Sequence, residues 1–275
     1  MANFTVHGGS TVVVGNQSDA ITVLGKGTVF AGDGNDTINV EGKGFVVAGK
    51  GNDSITVQGN GTVEVGHGSD IINLGGSGII TEDGASGHDT INLGTGSDTI
   101  FEQGHATVFG SFGSATISGG VFEFHQQGSI TKEVIDSGNA TLMGGSGADL
   151  VGGPGASLQQ NGSGDATLRG GSGHDTMMGG TGANVFIAGT GHDTMMGGGS
   201  NVFEFLKSSS GGNTVIDNFV SGTHSLYVEG LKFNQLNKGD ITSDGTNSFI
   251  KLPDGTKIEI IGVSSLSSND ISNSK

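Results

Sequence analysis

Aspartate recurs in this sequence at a fixed spacing. Asp19, Asp36, Asp53 and Asp70 follow one another at intervals of 17 residues, and Asp89 comes 19 residues after Asp70. Each repeat thus supplies one carboxylate, and calcium accepts carboxylate and backbone carbonyl oxygens alike. If the repeats stack about 4.8 Å apart, as paired strands do, successive aspartates come close enough to share an ion. The spacing therefore predicts a row of divalent-cation sites.

Glycines surround these aspartates and indicate tight turns. Gly32 and Gly34 precede Asp36, and glycine adopts the left-handed backbone angles that such turns need. The turn glycines on this side are Gly32, Gly34, Gly49, Gly51, Gly66 and Gly68. The pattern returns later in nine-residue units, where Asp175 follows Gly171 and Gly173 and Asp193 follows Gly189 and Gly191.

Apolar residues fall into columns when the 17-residue units are aligned. Ile38 and Val40 are one residue apart, and such alternation predicts a strand with both side chains on one face. The columns are Ile21, Ile38, Ile55, Ile72 and Ile91; Val23, Val40, Val57, Leu74 and Leu93; Val12, Val29, Val46, Val63 and Ile80; and Val14, Ala31, Ala48 and Val65. Each unit then holds two short strands and two turns. We expect an all-β fold, a right-handed parallel β-roll or β-solenoid.

The pattern divides the chain into four segments. We predict a calcium-binding β-roll over residues 1–103, degenerate coils over 104–143, a second, nonapeptide calcium-binding β-roll over 144–205 and a C-terminal β cap over 206–275. The degenerate segment keeps strand-like stretches without turn aspartates. We interpret it as solenoid without metal, and a flexible bridge is the alternative. The last segment carries the hairpin signal Pro253–Thr256, and a cap would cover an exposed strand edge.

The nine-residue units resemble the Gly-Gly-x-Gly-x-Asp-x-U-x repeats of the RTX (repeats-in-toxin) β-roll proteins, in which U is a large apolar residue. The resemblance covers roughly residues 8–205 and is clearest at 31–39, 48–56, 65–73, 170–178 and 188–196. It implies a roll that folds on Ca²⁺ and a C-terminal signal for one-step type I secretion. The ligands that it implies are Asp19, Asp36, Asp53, Asp70 and Asp89 in one column and Asp175 with Asp193 in another.

The sequence departs from the RTX pattern at several turns. The opposite turns of the first segment, such as Gly25–Thr28, lack aspartate, and we expect no calcium there. Asp98 and Asp149 have no aspartate partner on the same side. In the second roll other residues stand at the aspartate position: Ser157, Ala166, Asn184 and Asn201.

Composition argues against several classes of function. The chain has 11 Lys and Arg against 27 Asp and Glu, a net charge of -16, which disfavours nucleic acids and anionic membrane surfaces as partners. There is no cysteine for a disulfide, no apolar run long enough to span a membrane, and no N-terminal signal peptide pattern. Repeats begin within ten residues of Met1, and no His-Glu-x-x-His or Gly-x-Ser-x-Gly motif occurs, so we predict no enzymatic activity.

Histidine precedes three of the aspartates, as His88, His174 and His192. These side chains suggest a zinc site or a pH switch as one interpretation. Zinc prefers a compact set of three or four nitrogen and sulfur ligands. We therefore interpret the histidines as exposed turn residues at the variable position of the repeat.

Two functional hypotheses remain. The first is a secreted structural protein of the cell surface or biofilm matrix that stacks head to tail or laterally on itself, or binds a cell-surface polymer, because an open solenoid edge templates another strand. An outward apolar stripe could bind a partner sheet, and it comprises Val13, Phe30, Phe45, Val47 and Ile79. The alternative is a monomeric ice- or surface-binding adhesin, indicated by outward Thr and Asn beside the isoleucine column. Under either hypothesis Asp53→Ala should raise the calcium midpoint of folding.

Overall fold

The computed structural model describes residues 2–84, 86–118, 121–126, 134–135, 139–144, 149–151, 157–162, 164–209, 211–231, 235–236 and 239–272. The chain forms two compact units, Met1–Ser137 (unit 1) and Gly138–Lys275 (unit 2). Parallel strands stack as a β-solenoid, so the predicted all-β parallel solenoid is confirmed. The 3-10 turn Lys207–Ser209 is a short helical element among these strands, and no helix in the described residues has the length and hydropathy needed to cross a membrane.

Unit 1 is built from pairs of short strands separated by glycine turns. Its strands are β1 (Asn3–His7), β2 (Ser10–Val13), β3 (Ala20–Leu24), β4 (Gly27–Phe30), β5 (Thr37–Val40), β6 (Gly44–Val47), β7 (Ser54–Val57), β8 (Gly61–Val65), β9 (Ile71–Leu74), β10 (Gly78–Glu82), β11 (Asp89–Phe101), β12 (His105–Ser118), β13 (Val121–Gln126) and β14 (Val134–Ile135).

Two parallel ladders run along unit 1. One joins β1, β3, β5, β7 and β9 to the first part of β11, and the other joins β2, β4, β6, β8 and β10 to its last part. Parallel pairing continues from β11 to β12 and from β12 to β13. The register places Ile21, Ile38 and Ile55 side by side, as the columns predict. The inward columns are almost completely buried, with Ile21 and Ile38 1% exposed and Ile55 0% exposed.

Unit 2 uses the same arrangement with longer coils. Its strands are β15 (Asn139–Gly144), β16 (Asp149–Val151), β17 (Ser157–Asn161), β18 (Thr167–Arg169), β19 (Thr176–Gly179), β20 (Val185–Ile187), β21 (His192–Gly197), β22 (Val202–Phe205), β23 (Asn213–Asp217), β24 (Ser225–Val228), β25 (Ile241–Ser243), β26 (Ser248–Lys251), β27 (Lys257–Ile260) and β28 (Ile271–Ser272). One parallel ladder runs β15, β17, β19, β21, β23 and β27, and the other runs β16, β18, β20, β22, β24 and β28.

Aromatic and thioether side chains fill the interior of unit 2. The rings of Phe186 and Phe203 stack with centroids 4.9 Å apart, and both side chains are fully buried. Met177 and Met195 are also fully buried in register with each other. These larger side chains occupy the positions that Ile and Val hold in unit 1.

The end of unit 2 changes from parallel to antiparallel pairing. β25, β26 and β27 form an antiparallel meander, and β27 also pairs in parallel with β23. The predicted hairpin signal at Pro253–Thr256 joins β26 to β27, and the Leu252 amide donates to the Thr256 carbonyl oxygen at 2.8 Å. The role of residues 206–275 as a cap, the segment boundaries and the right-handed sense of the coils stay predictions.

Candidate calcium sites

The aspartates predicted from the 17-residue spacing form one column inside the turns of unit 1. Each stands at the start of a strand of the first ladder, directly before or at its first residue. All five carboxylates are buried, and their side chains are between 1% and 4% exposed: Asp19, Asp36, Asp53, Asp70 and Asp89. Buried carboxylates require hydrogen bonds or cations to offset their desolvation, so the partners of this column decide its chemistry.

Each carboxylate in the column is held by the backbone of the preceding coil. The Asp36 amide donates to Asp53 Oδ1 at 2.8 Å, and the Asp53 amide donates to Asp70 Oδ1 at 2.7 Å. The same bond joins Asp19 to Asp36 and Asp70 to Asp89, each at 2.8 Å. We call this series the aspartate ladder. It fixes every side chain in one orientation and brings the predicted ligands together as neighbours.

The second oxygen of the inner aspartates has no partner. Oδ2 of Asp36, Asp53 and Asp70 is buried and accepts no hydrogen bond within the described part of the chain. Burial raises the pKa of Asp53 to about 6 and that of Asp70 to about 7, and neighbouring carboxylates add to both shifts. The ladder therefore holds closely spaced anionic groups, each with one oxygen available to a cation.

The turn glycines are packed too closely for any side chain. A Cβ on Gly51 would lie 1.9 Å from the Gly34 carbonyl oxygen, and one on Gly68 would lie 1.7 Å from the Gly51 oxygen. Gly34 and Gly51 also have positive φ, at 135° and 139°, which other residues rarely adopt. The turns thus stack backbone carbonyls beside the aspartates. Carboxylate and carbonyl oxygens are the donor set that calcium takes, so these residues fit the ion.

The two repeat aspartates of unit 2, Asp175 and Asp193, accept hydrogen bonds at both carboxylate oxygens. Asp175 Oδ1 accepts from both the amide and the hydroxyl of Ser157, and its Oδ2 accepts from the Gly171 amide at 3.0 Å. Asp193 Oδ1 accepts from the Asp175 amide at 3.3 Å, and its Oδ2 accepts from the Gly189 amide at 3.0 Å. Burial, as the largest cause, raises the pKa of Asp193 to about 6. Here both carboxylate oxygens already have backbone donors.

Asparagine replaces aspartate in the other column of unit 2 and keeps the ladder bond. The Asn184 amide donates to Asn201 Oδ1 at 3.0 Å, as one aspartate donates to the next in unit 1. Asn184 Nδ2 then donates to the carbonyl oxygens of Gly182 at 3.0 Å and Gly180 at 3.5 Å. Asn201 Nδ2 likewise donates to the Gly198 oxygen at 2.9 Å. The amide group thus occupies the turn carbonyls that a cation would use beside an aspartate.

The turn histidines stay on the outside. His88, His174 and His192 are exposed, and the rings of His174 and His192 stack with centroids 4.8 Å apart. Asp98 lies in the opposite turns of unit 1, where its Oδ1 accepts from the Gly78 amide at 2.9 Å. Its register neighbours are Gly78 and Ala115, so the structure places no second carboxylate beside it in that ladder.

Sequence reasoning missed two carboxylates in unit 1. Glu82 pairs in register with Val65, which puts it in the inward column formed upstream by small apolar residues. Glu82 and Glu102 are 2% and 3% exposed, and they approach Asp89. Among the described residues this is the one group of three or more His, Cys or acidic side chains whose ligand atoms converge. The signal in the sequence was a glutamate at a position where the column predicts an apolar residue.

Fold and site together define a parallel β-solenoid whose turns carry buried carboxylates and stacked carbonyls. The RTX calcium-binding nonapeptide repeat matches this chain in four copies, over residues 83–101 and 161–202. The resemblance inferred from the sequence is therefore confirmed, and the chain carries RTX calcium-binding repeats in a β-solenoid. No curated protein matches the chain. The matched segments include Asp89, Asp175 and Asp193, whereas the assignment of the aspartates before Asp89 rests on their geometry.

Proposed function

We propose that this chain is a secreted calcium-binding structural protein that folds on extracellular Ca²⁺ and associates with itself at the cell surface or in a biofilm matrix. The observation that supports this most directly is the aspartate ladder, in which buried carboxylates with unpartnered oxygens follow one another in register. Calcium would supply the positive charge that these groups need. The fold is otherwise a structural scaffold, and we assign it no catalytic role.

The ladder gives the physical basis of a folding switch. At low calcium, closing the solenoid requires the carboxylates of Asp36, Asp53 and Asp70 to leave water and to approach one another, which opposes folding. A cation that binds the folded state and not the unfolded chain stabilises the fold by mass action, by about 2.7 kcal/mol at a hundredfold excess over Kd. Export in an unfolded state and folding outside the cell follow from this dependence.

Self-association is supported by an open edge and an apolar stripe in unit 1. Among the described residues β1 pairs only with β3 and β2 only with β4, so one edge of each strand keeps unpaired backbone groups. On the outward face Val13 is 71% exposed, Ile79 is 43% exposed and Phe30 is 39% exposed. Phe45 and Val47 are half-buried. A second copy could pair with the edge or cover the stripe.

Electron microscopy of the purified chain tests this function. Negative-stain images would be recorded in a few millimolar calcium and again in excess chelator. Filaments or layers that form only with calcium are the expected result. The variant Val13→Lys places a charge beside the open edge and should shorten or abolish the assemblies while leaving calcium-induced folding unchanged by circular dichroism. Single compact particles at every calcium concentration would contradict self-association.

A second candidate function is binding to ice or to another ordered surface. Outward Asn and Thr do line the isoleucine column, and they bond along the stack: Asn92 Nδ2 donates to Asn73 Oδ1 at 2.9 Å, and Asn73 Nδ2 contacts Thr56 Oγ1 at 3.3 Å. These bonds use polar groups that an ice surface would need, and Ile71 interrupts the row with 47% exposure. Thermal hysteresis in the calcium-loaded protein would support this alternative over self-assembly.

A further inference from the structure

The aspartate ladder of unit 1 ends at Asp89, the last aspartate of its column. Asp89 pairs in register with Ala106, so the next coil supplies no aspartate to continue the series. At the same level two glutamates enter the interior from the neighbouring inward column. Glu82 is the register partner of Val65, and Glu102 follows Phe101, the register partner of Thr81. Two carboxylates thus replace apolar side chains next to the last aspartate.

The three carboxylates converge on one point inside the coil. One ligand oxygen from each of Glu82, Asp89 and Glu102 lies within 4.8 Å of the other two. All three side chains are buried, with exposures of 2% for Glu82 and 3% for the other two. Among the described residues no lysine or arginine pairs with any of them. Three ionised carboxylates at this separation repel strongly in a buried site unless a cation or protons neutralise them.

Backbone donors satisfy part of the cluster and leave one oxygen open. Glu82 Oε1 accepts from the Gly84 amide at 2.6 Å, and Glu82 Oε2 accepts from the amides of Gln103 at 2.9 Å and Gly104 at 3.0 Å. Glu102 Oε1 accepts from the Gly104 amide at 2.9 Å. Glu102 Oε2 is buried and has no hydrogen-bond donor among the described residues, so an unpartnered carboxylate oxygen lies inside the cluster.

The backbone beside the cluster leaves an oxygen-lined space. A Cβ added to Gly104 would lie 3.1 Å from the Gly84 carbonyl oxygen, 3.3 Å from Glu102 Oε1 and 3.5 Å from Glu82 Oε2. Glycine at position 104 keeps this space clear. A carbonyl oxygen therefore adds to the carboxylate oxygens as a possible ligand.

We propose that Glu82 and Glu102 join Asp89, the last aspartate of the ladder, to form a divalent-cation site that prefers calcium and takes two of its ligands from outside the aspartate positions of the repeat. It does not depend on self-association or secretion, because it rests on the carboxylate cluster alone. Calcium accepts mixed carboxylate and carbonyl oxygens in irregular geometry, whereas magnesium demands a regular octahedron and retains several waters.

Counting bound calcium in single-charge variants tests the site. The full chain would be stripped with chelator, titrated with Ca²⁺ and examined by native mass spectrometry and equilibrium dialysis. Glu102→Gln and Glu82→Gln should each bind one ion fewer than the unmodified chain. Glu64→Gln is the matched control, since Glu64 is an exposed glutamate on β8 in the same unit and its loss changes the net charge equally. The control should retain the full number of ions.

Thermal melts in calcium and in chelator distinguish a calcium site from a purely structural role of these carboxylates. In chelator Glu102→Gln should melt at or above the temperature of the unmodified chain, because it removes an unneutralised buried charge. In calcium it should melt below the unmodified chain, because it has lost an ion. An unchanged ion count in both glutamine variants, or a higher melting temperature of Glu102→Gln in both conditions, would overturn the site. If Asp53→Asn bound fewer ions while Glu82→Gln and Glu102→Gln bound the full number, the calcium sites of the repeats would be supported and the proposed glutamate site would be rejected.

Discussion

Replacing Asp53 by asparagine should have opposite effects on stability with and without calcium. The substitution keeps Oδ1, which accepts from the Asp36 amide at 2.8 Å, and removes the charge on a carboxylate that is 2% exposed. The molecule already contains this arrangement at Asn184, where the side-chain amide donates to turn carbonyls. The new side-chain amide at position 53 should therefore find acceptors in its turn.

The magnitude follows from the pKa of Asp53, which burial raises from 3.8 to about 6. A difference of this size corresponds to about 3 kcal/mol at neutral pH, and water that reaches the turn reduces it to about 1–2 kcal/mol. We expect Asp53→Asn to stabilise the chelated protein by that amount. With calcium, a tenfold loss of affinity at each of two flanking sites costs about 3 kcal/mol, which makes the variant about 1–2 kcal/mol less stable than the unmodified protein.

Urea unfolding followed by circular dichroism, in millimolar calcium and in excess chelator, measures both effects. Asp33→Asn is the control, because Asp33 is exposed in a turn of the same type and lies outside the ladder. It should change stability by less than about 0.5 kcal/mol in either condition. Equal destabilisation of Asp53→Asn in both conditions would show that the carboxylate acts only as a hydrogen-bond acceptor and would refute the calcium assignment.

Three further outcomes follow from the same geometry. In the folded protein the pKa of Asp53 is raised to about 6 and that of Asp70 to about 7, so both carboxyl groups hold their protons more tightly than in the unfolded chain. In chelator the resulting stability is fully present below about pH 3.8 and is lost as the pH rises to about 7. Urea midpoints should therefore be higher at pH 5 than at pH 7.5. Gly51→Ala brings a Cβ to 1.9 Å from the Gly34 oxygen at a positive φ and should cost about 2–4 kcal/mol in thermal melts, whereas Gly15→Ala, with open space around it, should cost less than about 1 kcal/mol. Asn184→Asp loses two donations to turn carbonyls and should destabilise the chelated protein by about 1–3 kcal/mol while adding a bound calcium ion, and an ion count equal to that of the unmodified chain would contradict this account.

The strand register could be predicted from sequence because the interior repeats without interruption. Ile38 and Val40 recur every 17 residues with alternating neighbours, and a slip of one residue would turn both out of the core. The same alignment predicted that the aspartates lie next to one another in successive coils, and the ladder bonds confirm that they are neighbours. Residues 104–143 lack this regularity, and the structure extends parallel pairing through β12 and β13 in that segment.

The bonding within the turns could not be predicted, because spacing does not fix the direction of a side chain. Asp53 and Asp193 occur in the same motif, yet Asp53 leaves Oδ2 unpartnered, whereas both oxygens of Asp193 accept hydrogen bonds, with Gly189 donating to Oδ2. The two sites also differ in coil length, which is 17 residues from Asp36 to Asp53 and 18 from Asp175 to Asp193. Glu82 and Glu102 were not predicted as ligands, because neither residue stands at the aspartate position of the repeat.

The side-chain bonds of unit 1 run in two opposite directions along the stack. In the aspartate ladder each amide donates toward the following coil, as from Asp36 to Asp53. One residue earlier the amides donate toward the preceding coil, as from Asn52 to Asn35 Oδ1 at 2.9 Å. Every internal coil is therefore tied to both neighbours by side chains that leave the strands free for their own pairing. A stack built this way has two chemically different faces: toward the following coil it offers an amide donor in the aspartate row and an oxygen acceptor in the asparagine row, and toward the preceding coil it offers the reverse.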